Sequence, residues 1–173
     1  ILSEEVPQDA LLLPWKDTGV YLITGGAGGL GLLFAGEIAR RTRPATIILV
    51  GRSPLVGERL ERVSDIQARF PQATIEYRQV DVTHEETVTE LVQWIRRTFG
   101  NLHGIIHGAG VLRDNFLLKK SLDELHTVLA PKVVGLVNLD QASRECDLDY
   151  LVLCSSGSAA EGNAGQADYA AAN

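Results

Sequence analysis

Apolar positions along the chain switch between two periods. VYLIT (20–24) is a short, mostly apolar run that predicts a strand, and GGLGLLFAGEIARRT (28–42) has the spacing of a helix. ATIILV (45–50) predicts a second strand and 57–70 a second helix, while TIEYRQV (74–80) alternates polar and apolar residues like a half-buried strand. From Thr83 to Phe99, Val88, Leu91, Val92, Ile95 and Phe99 recur at helical spacing, and Thr83 with Glu86 has the form of a capping box. LHGIIHGAG (102–110) reads as a strand running into a glycine turn. Ser121 and Glu124 form a second capping box that opens a helix reaching about residue 143. DYLVLCSS (149–156) predicts a fifth strand, and the final residues begin another helix.

The resulting order, βαβαβαβαβ, predicts an α/β fold of Rossmann-like, doubly wound type: a parallel sheet covered by helices on both faces. On such a sheet ligands bind outside the C-terminal ends of the strands. Residues 1–18, with Pro7, Pro14 and scattered acids, read as a linker ahead of a domain spanning 19–173.

Bulk properties narrow the partners. The chain has 173 residues, 45% hydrophobic and 22% charged, as expected of one globular domain. A net charge of −6 repels a phosphate backbone overall, so nucleic acid is not an expected partner. The longest apolar stretch, 20–36, is interrupted by glycines, which argues against a membrane span. The acidic N-terminal residues do not resemble a secretory signal, and two cysteines make no disulfide framework; both points lead to a cytoplasmic expectation.

The first strand ends in TGGAGGLG, Thr24 to Gly31, directly before a helix. Glycines in that context let the backbone turn tightly and approach a pyrophosphate, whose charge sits at the helix N-terminus. Thr24, Gly25, Gly28, Gly29, Leu30 and Gly31 are therefore cofactor-binding candidates, with Gly31 also suited to close helix–sheet packing. Gly25, Gly29 and Gly31 match the spacing of short-chain reductases; Gly25, Gly28 and Gly31 match an extended, epimerase-like spacing. The glycines alone do not choose between them.

The second strand indicates which dinucleotide. NAD enzymes usually place an acid there for the ribose 2′-hydroxyl. Here the strand ends in Gly51-Arg52-Ser53. Arg52 can pair bidentately with a 2′-phosphate and no carboxylate stands beside it, so the expected cofactor is NADPH. Asp81 and Val82 follow the third strand, where they suit the adenine edge. His107, Gly108, Ala109 and Gly110 follow the fourth, where they are expected to line the nicotinamide ribose.

Other chemistries fit poorly. His103 and His107 lie on a predicted strand, where four residues span about 13 Å, so the pair cannot share an ion and no metal site is expected. Ser156 lacks the flanking glycines of a hydrolase nucleophile elbow. Carbonyl reduction fits better. It needs hydride at carbon and a proton at oxygen; a tyrosine, with a reference pKa of about 10, can give that proton if a nearby cation favours the phenolate. Ser156, at the end of the fifth strand, can hold a carbonyl oxygen, and Tyr169 follows on the next helix. A lysine is absent four residues after Tyr169, where Asn173 stands instead. Lys132, in APKVVG, can reach the same cleft from the preceding helix.

The set TGGAGGLG, GRS, DVT, HGAGVL, PKVVG, SS and GQADYAAAN resembles the ketoreductase domains of modular polyketide synthases, within the short-chain dehydrogenase/reductase superfamily. The resemblance covers about residues 19–173. In that family lysine and asparagine exchange places relative to ordinary short-chain reductases. The resemblance therefore implies that Lys132 is the catalytic lysine, Ser156 the carbonyl holder, Tyr169 the proton donor and Asn173 the amide that orders the relay. It also implies reduction of a β-ketoacyl chain, carried on the phosphopantetheine arm of an acyl carrier protein, to a β-hydroxyacyl thioester. B-type members carry Leu-Asp-Asp after the HGAG turn; here Leu112-Arg113-Asp114 keeps only the last aspartate. A-type members place tryptophan eight residues before the tyrosine, where Glu161 stands. Asp114 and Glu161 are thus the stereocontrol candidates, and the pattern leans to B-type with Arg113 as a departure from it. The resemblance further implies a non-catalytic structural half before this region, and two more strands with a helical lid after it, which would cover a sheet edge near 149–154. An alternative with the same cofactor site is a non-reducing or epimerising relative.

Overall fold

The computed structural model describes residues 13–173, so residues 1–12 of the expected linker lie outside the described residues. Five parallel strands form one sheet: β1 (Gly19–Thr24), β2 (Ala45–Gly51), β3 (Ala73–Gln79), β4 (Gly104–His107) and β5 (Tyr150–Leu153), in the order β3-β2-β1-β4-β5. Helices α1 (Gly29–Arg41), α2 (Glu58–Arg69), α3 (Glu85–Phe99) and α4 (Leu122–Ser143) make the crossovers, and two short helices, α5 (Gly157–Glu161) and α6 (Ala167–Ala172), follow β5.

The central strand shows why the pattern folds this way. All six residues of β1 are buried. Alternation along the strand sends Tyr21 and Ile23 to one face, where they meet Leu32, Ala35 and Ile38 of α1 and Val63 of α2. Val20 and Leu22 face the other way, onto Val88, Leu91, Val92 and Ile95 of α3 and Leu139 of α4. A strand covered on both faces reads as a near-continuous apolar run, as VYLI does here, and the buried Thr24 that ends it has its hydroxyl satisfied by His107 and Ala109. The strand order reverses between β1 and β4, and their C-terminal ends open the crevice in which the candidate site lies.

The two expected capping boxes part ways. The Ser121 Oγ accepts the Glu124 N–H (3.2 Å) and the Glu124 carboxylate accepts the Ser121 N–H (2.9 Å), which completes the box at the start of α4. Thr83 caps nothing. Its N–H and hydroxyl both donate to Asp81 Oδ1, at 3.0 and 2.8 Å, and α3 starts two residues later behind His84. The aspartate two residues upstream outcompetes the helix for the threonine. The region after β5 also differs from expectation: Ser156 lies beyond the strand, and the single expected helix is two.

The stretch just before β1 is packed. Trp15 meets Tyr150 and Tyr21 edge to face, at 5.7 and 6.2 Å between ring centroids, and Lys16 pairs with Asp149 at 2.7 Å. Among the described residues no helix is long and apolar enough to cross a membrane.

Candidate functional site

A cleft of about 500 Å³ lies across the C-terminal strand ends, with Gly25, Gly28, Arg52, Asp81, Gly108 and Pro131 among the residues lining it. Its floor is the contact between the turns after β1 and β4. Gly25 has φ +67°, and a Cβ there would fall 2.6 Å from the Gly108 carbonyl oxygen. Both the backbone conformation and the close approach demand glycine. Gly31 serves packing: a Cβ there would fall 2.6 Å from the Gly26 Cα, where α1 rests on its own turn. Gly28 lines the cleft, its N–H on the Gly25 carbonyl at 2.9 Å. Gly29 and Leu30 occupy the exposed first turn of α1. Thus Gly28 and Gly29 are both accommodated, and neither spacing is excluded.

At one end stand Arg52 and Ser53, together with two residues no motif pointed to, Arg59 and Tyr77. The Tyr77 hydroxyl donates to the Ser53 carbonyl at 2.6 Å, and the Gln79 amide donates to the Arg52 carbonyl at 3.1 Å, which holds this corner in shape. Neither Arg52 nor Arg59 has an ion-pair partner among the described residues. Asp81 and Val82 line the adjacent wall. Burial works to raise the Asp81 carboxyl, but the two hydrogen bonds from Thr83 outweigh it and hold the group below its ordinary value. Asn138 of α4 donates to the Val82 carbonyl at 2.9 Å and fixes that wall to the helix behind it.

His107 departs from its expected place. It does not line the cleft; it is buried beneath it, 2% exposed. Its Nε2 lies 2.9 Å from the Pro131 carbonyl oxygen and its Nδ1 2.7 Å from Thr24 Oγ1, which also accepts the Ala109 N–H at 3.1 Å. A carbonyl can only accept, so Nε2 carries the proton and the bare Nδ1 accepts from Thr24. Burial, and next the charge of Lys132, push the imidazole down to about 4, against the pull of the Pro131 carbonyl. A neutral ring thus ties β1, β4 and α4 together, and contacts from this turn to a ligand fall to Gly108, Ala109 and Gly110, which do line the cleft. Thr24 is likewise buried and acts through Ala109.

Of the four proton-relay candidates, Lys132 lies against the turn at 108–110, and the other three belong to α5 and α6, with α6 packed on both α4 and α5. Lys132 follows Pro131 on α4. Its ammonium donates to the Cys154 carbonyl, two residues before Ser156, and its Cε lies 3.3 Å from where a Gly110 Cβ would stand. Burial lowers the lysine below its ordinary value. Ser156 caps α5: its Oγ accepts the Ser158 N–H at 3.2 Å, which leaves its own proton free to donate. Tyr169 sits on α6, and the Asn173 amide donates to the Tyr169 carbonyl at 2.8 Å. Asn173 also accepts the Ser155 hydroxyl on its backbone oxygen (2.8 Å), while its side-chain oxygen is buried without a partner among the described residues. No hydrogen bond joins the functional groups of Lys132, Ser156 and Tyr169 directly; backbone contacts bring their segments together.

Of the stereocontrol candidates, Asp114 accepts the Gln166 amide at 2.9 Å, which docks its loop beside α6. Glu161 is exposed at the end of α5. Sequence patterns also missed Lys120 and Asp168, a buried ion pair at 2.5 Å beside Tyr169. No local signal links residues so far apart in the chain.

The residues present fit a nicotinamide dinucleotide: a glycine cradle that a Cβ would fill at the centre, and two guanidinium groups at one end with no ion-pair partner among the described residues.

The family model described as the KR domain matches residues 19–173. The chain is 52% identical over 161 residues to polyketide synthase PksL of Bacillus subtilis (strain 168), and 51% identical over 160 residues to polyketide synthase PksN of the same organism. These matches cover 93% and 92% of this chain but only 4% and 3% of those proteins. Among solved structures, a ketoreductase domain from the bacillaene assembly line is 48% identical with a TM-score of 0.91, covering 95% of this chain and 39% of that one. An N-terminal ketoreductase from the macrolactin assembly line is 45% identical with a TM-score of 0.86, covering 91% and 32%. Levodione reductase, at 27% identity and a TM-score of 0.79, shares the fold. The chain therefore belongs to the KR-domain family, the ketoreductase domains of polyketide synthases, and has their short-chain-reductase α/β fold.

Proposed function

We propose that this chain forms the cofactor site and proton relay of an NADPH-dependent ketoreductase, which reduces a β-ketoacyl thioester on an acyl carrier protein to the β-hydroxyacyl thioester. The observation that carries the reading is Lys132. It comes from α4 rather than from the tyrosine's own helix, and its ammonium reaches the Cys154 carbonyl just ahead of Ser156.

NADPH, when bound, supplies the hydride. Arg52 and Arg59 hold its 2′-phosphate, and the turn at 25–31 its pyrophosphate. Asp81 and Val82 take the adenine edge. The Ser156 hydroxyl donates to the substrate carbonyl oxygen and polarises it. Tyr169 gives its phenolic proton to that oxygen as negative charge develops there, and the Lys132 ammonium favours the phenolate left behind. Asn173 holds the Tyr169 segment through its carbonyl. Asp114, on the loop facing α6, is the residue we assign to substrate orientation, with B-type stereochemistry. A carrier-protein thioester substrate, a structural half braced against this one, and a cytoplasmic setting complete the reading.

The test is NADPH oxidation with a β-ketoacyl thioester in the full-length protein. Tyr169→Phe should lower kcat by about 100-fold or more. Equal turnover by Tyr169→Phe and the parent would remove Tyr169 from the mechanism.

A further inference from the structure

We infer that the buried Lys120–Asp168 ion pair is a positioning device for Tyr169, locking the tyrosine helix to the loop that carries Asp114. The inference rests on Tyr169 being the proton donor.

Both side chains are 1% exposed, and Lys120 Nζ lies 2.5 Å from Asp168 Oδ2. Lys120 also donates to the Arg113 carbonyl oxygen, and the second Asp168 oxygen accepts the N–H of Tyr169 itself at 2.9 Å. One ammonium and one carboxylate thus link the backbone beside Asp114 to the backbone of Tyr169. Two further bonds run in parallel: the Asn115 N–H donates to the Gly165 carbonyl at 2.9 Å, and the Gln166 amide donates to the Asp114 carboxylate at 2.9 Å. The loop after β4 and the segment leading into α6 are therefore tied as one unit.

Three physical points give the pair this role. Helix α6 has only six residues, too few to hold its own geometry, and the Tyr169 N–H is among the first-turn donors a helix leaves unsatisfied. The Tyr169 hydroxyl has no hydrogen-bond partner among the described residues, so the ring is aimed through its backbone, clamped between Asp168 at the N–H and Asn173 at the carbonyl. Finally, a buried ion pair adds little stability over an apolar pair of similar volume, whereas it fixes one geometry. Proton transfer needs that geometry, because a displacement of about 1 Å can cost on the order of 100-fold in rate.

The experiment uses the full-length protein. Lys120→Met is expected to lower kcat by about 10-fold or more while the NADPH Kd, read by nucleotide fluorescence, stays within about 3-fold, since neither residue of the pair lines the cofactor cleft. Lys120→Arg, which keeps the charge and the donors, should recover much of the lost kcat. Lys120→Met leaves a buried carboxylate unpaired and risks misfolding, so Lys120→Met/Asp168→Asn is the second variant; it buries no charge and keeps an acceptor for the Tyr169 N–H. It should fold and still show the lowered kcat. A folded double variant with parental kcat would overturn the inference, as would a loss of NADPH affinity equal to the loss of kcat. Parental turnover in Tyr169→Phe would instead overturn the proton-donor reading, and the inference with it. Loss of turnover in Tyr169→Phe beside parental kcat in the double variant would overturn the positioning role alone.

Discussion

His107 donates its Nε2–H to the carbonyl oxygen of Pro131, 2.9 Å away, and so anchors the end of β4 to the residue directly before Lys132. The bond demands a neutral imidazole that is both donor and acceptor. Burial keeps the folded-state value near 4, against about 6.5 in an unfolded chain. Between those values the unfolded chain binds a proton that the folded one refuses. The contribution to stability is therefore complete above about pH 6.5 and is lost as pH falls to about 4, an effect on the order of 3 kcal/mol. Urea midpoints of the parent and His107→Gln, compared at several pH values across that window, should converge toward the acid end. Parallel curves would remove His107 as the titrating group.

Gly25→Ala should damage the cofactor site more than the core. The positive φ alone costs an L-residue about 1–2 kcal/mol, and the new methyl would also push against the Gly108 carbonyl. The turns after β1 and β4 must then separate. NADPH affinity should fall by about 10-fold or more on that ground, measurable by fluorescence titration; unchanged affinity would mean the floor of the cleft is not where the cofactor lies.

Arg52→Ala and Arg59→Ala should each weaken NADPH more than NADH. Among the described residues neither guanidinium group has a carboxylate partner, so either can be committed to a phosphate without breaking an ion pair seen there. A loss of about 10-fold for NADPH, with NADH nearly unaffected, is the expected result in paired Kd measurements. Equal loss for both nucleotides would place the arginines elsewhere.

Ser156 has two duties that substitution can separate. Ser156→Ala removes the α5 cap, worth about 1 kcal/mol, and the hydroxyl donor together. Ser156→Asp keeps a capping oxygen but offers no proton to a carbonyl and sets a negative charge beside the developing alkoxide. Thermal stability should therefore recover in Ser156→Asp while kcat stays about 100-fold down. Turnover returning along with stability would reduce Ser156 to a cap.

Local pattern made most of the fold legible. VYLIT reads as a strand from its run of apolar, β-favouring residues, and β1 proves buried throughout. Ser121 and Glu124 read as a capping box and form one. The failures come where two local rules compete or where the partner is distant. Thr83 has the spacing of a cap, but Asp81 takes both of its donors. His107 has the position of a ligand contact, yet its partners, Thr24 and Pro131, lie 83 and 24 residues away, and they turn it inward.

The candidate site divides the same way. Motif spacing alone led to the glycine turn and to Arg52, because each depends on residue type at a short interval, whereas the roles of Lys132 and Asn173 about the tyrosine came from the family resemblance. By itself the chain's pattern also determined a parallel α/β sheet and a family resemblance that the comparisons establish. Only the tertiary structure decided that Arg59 and Tyr77 join the Arg52 corner, that His107 is a neutral strut, and that Lys120 meets Asp168 across 48 residues of chain. Those contacts arise from strand order and crossover geometry. A buried charge or imidazole takes whatever partner the closed fold brings to it, and no interval in the sequence records that distance.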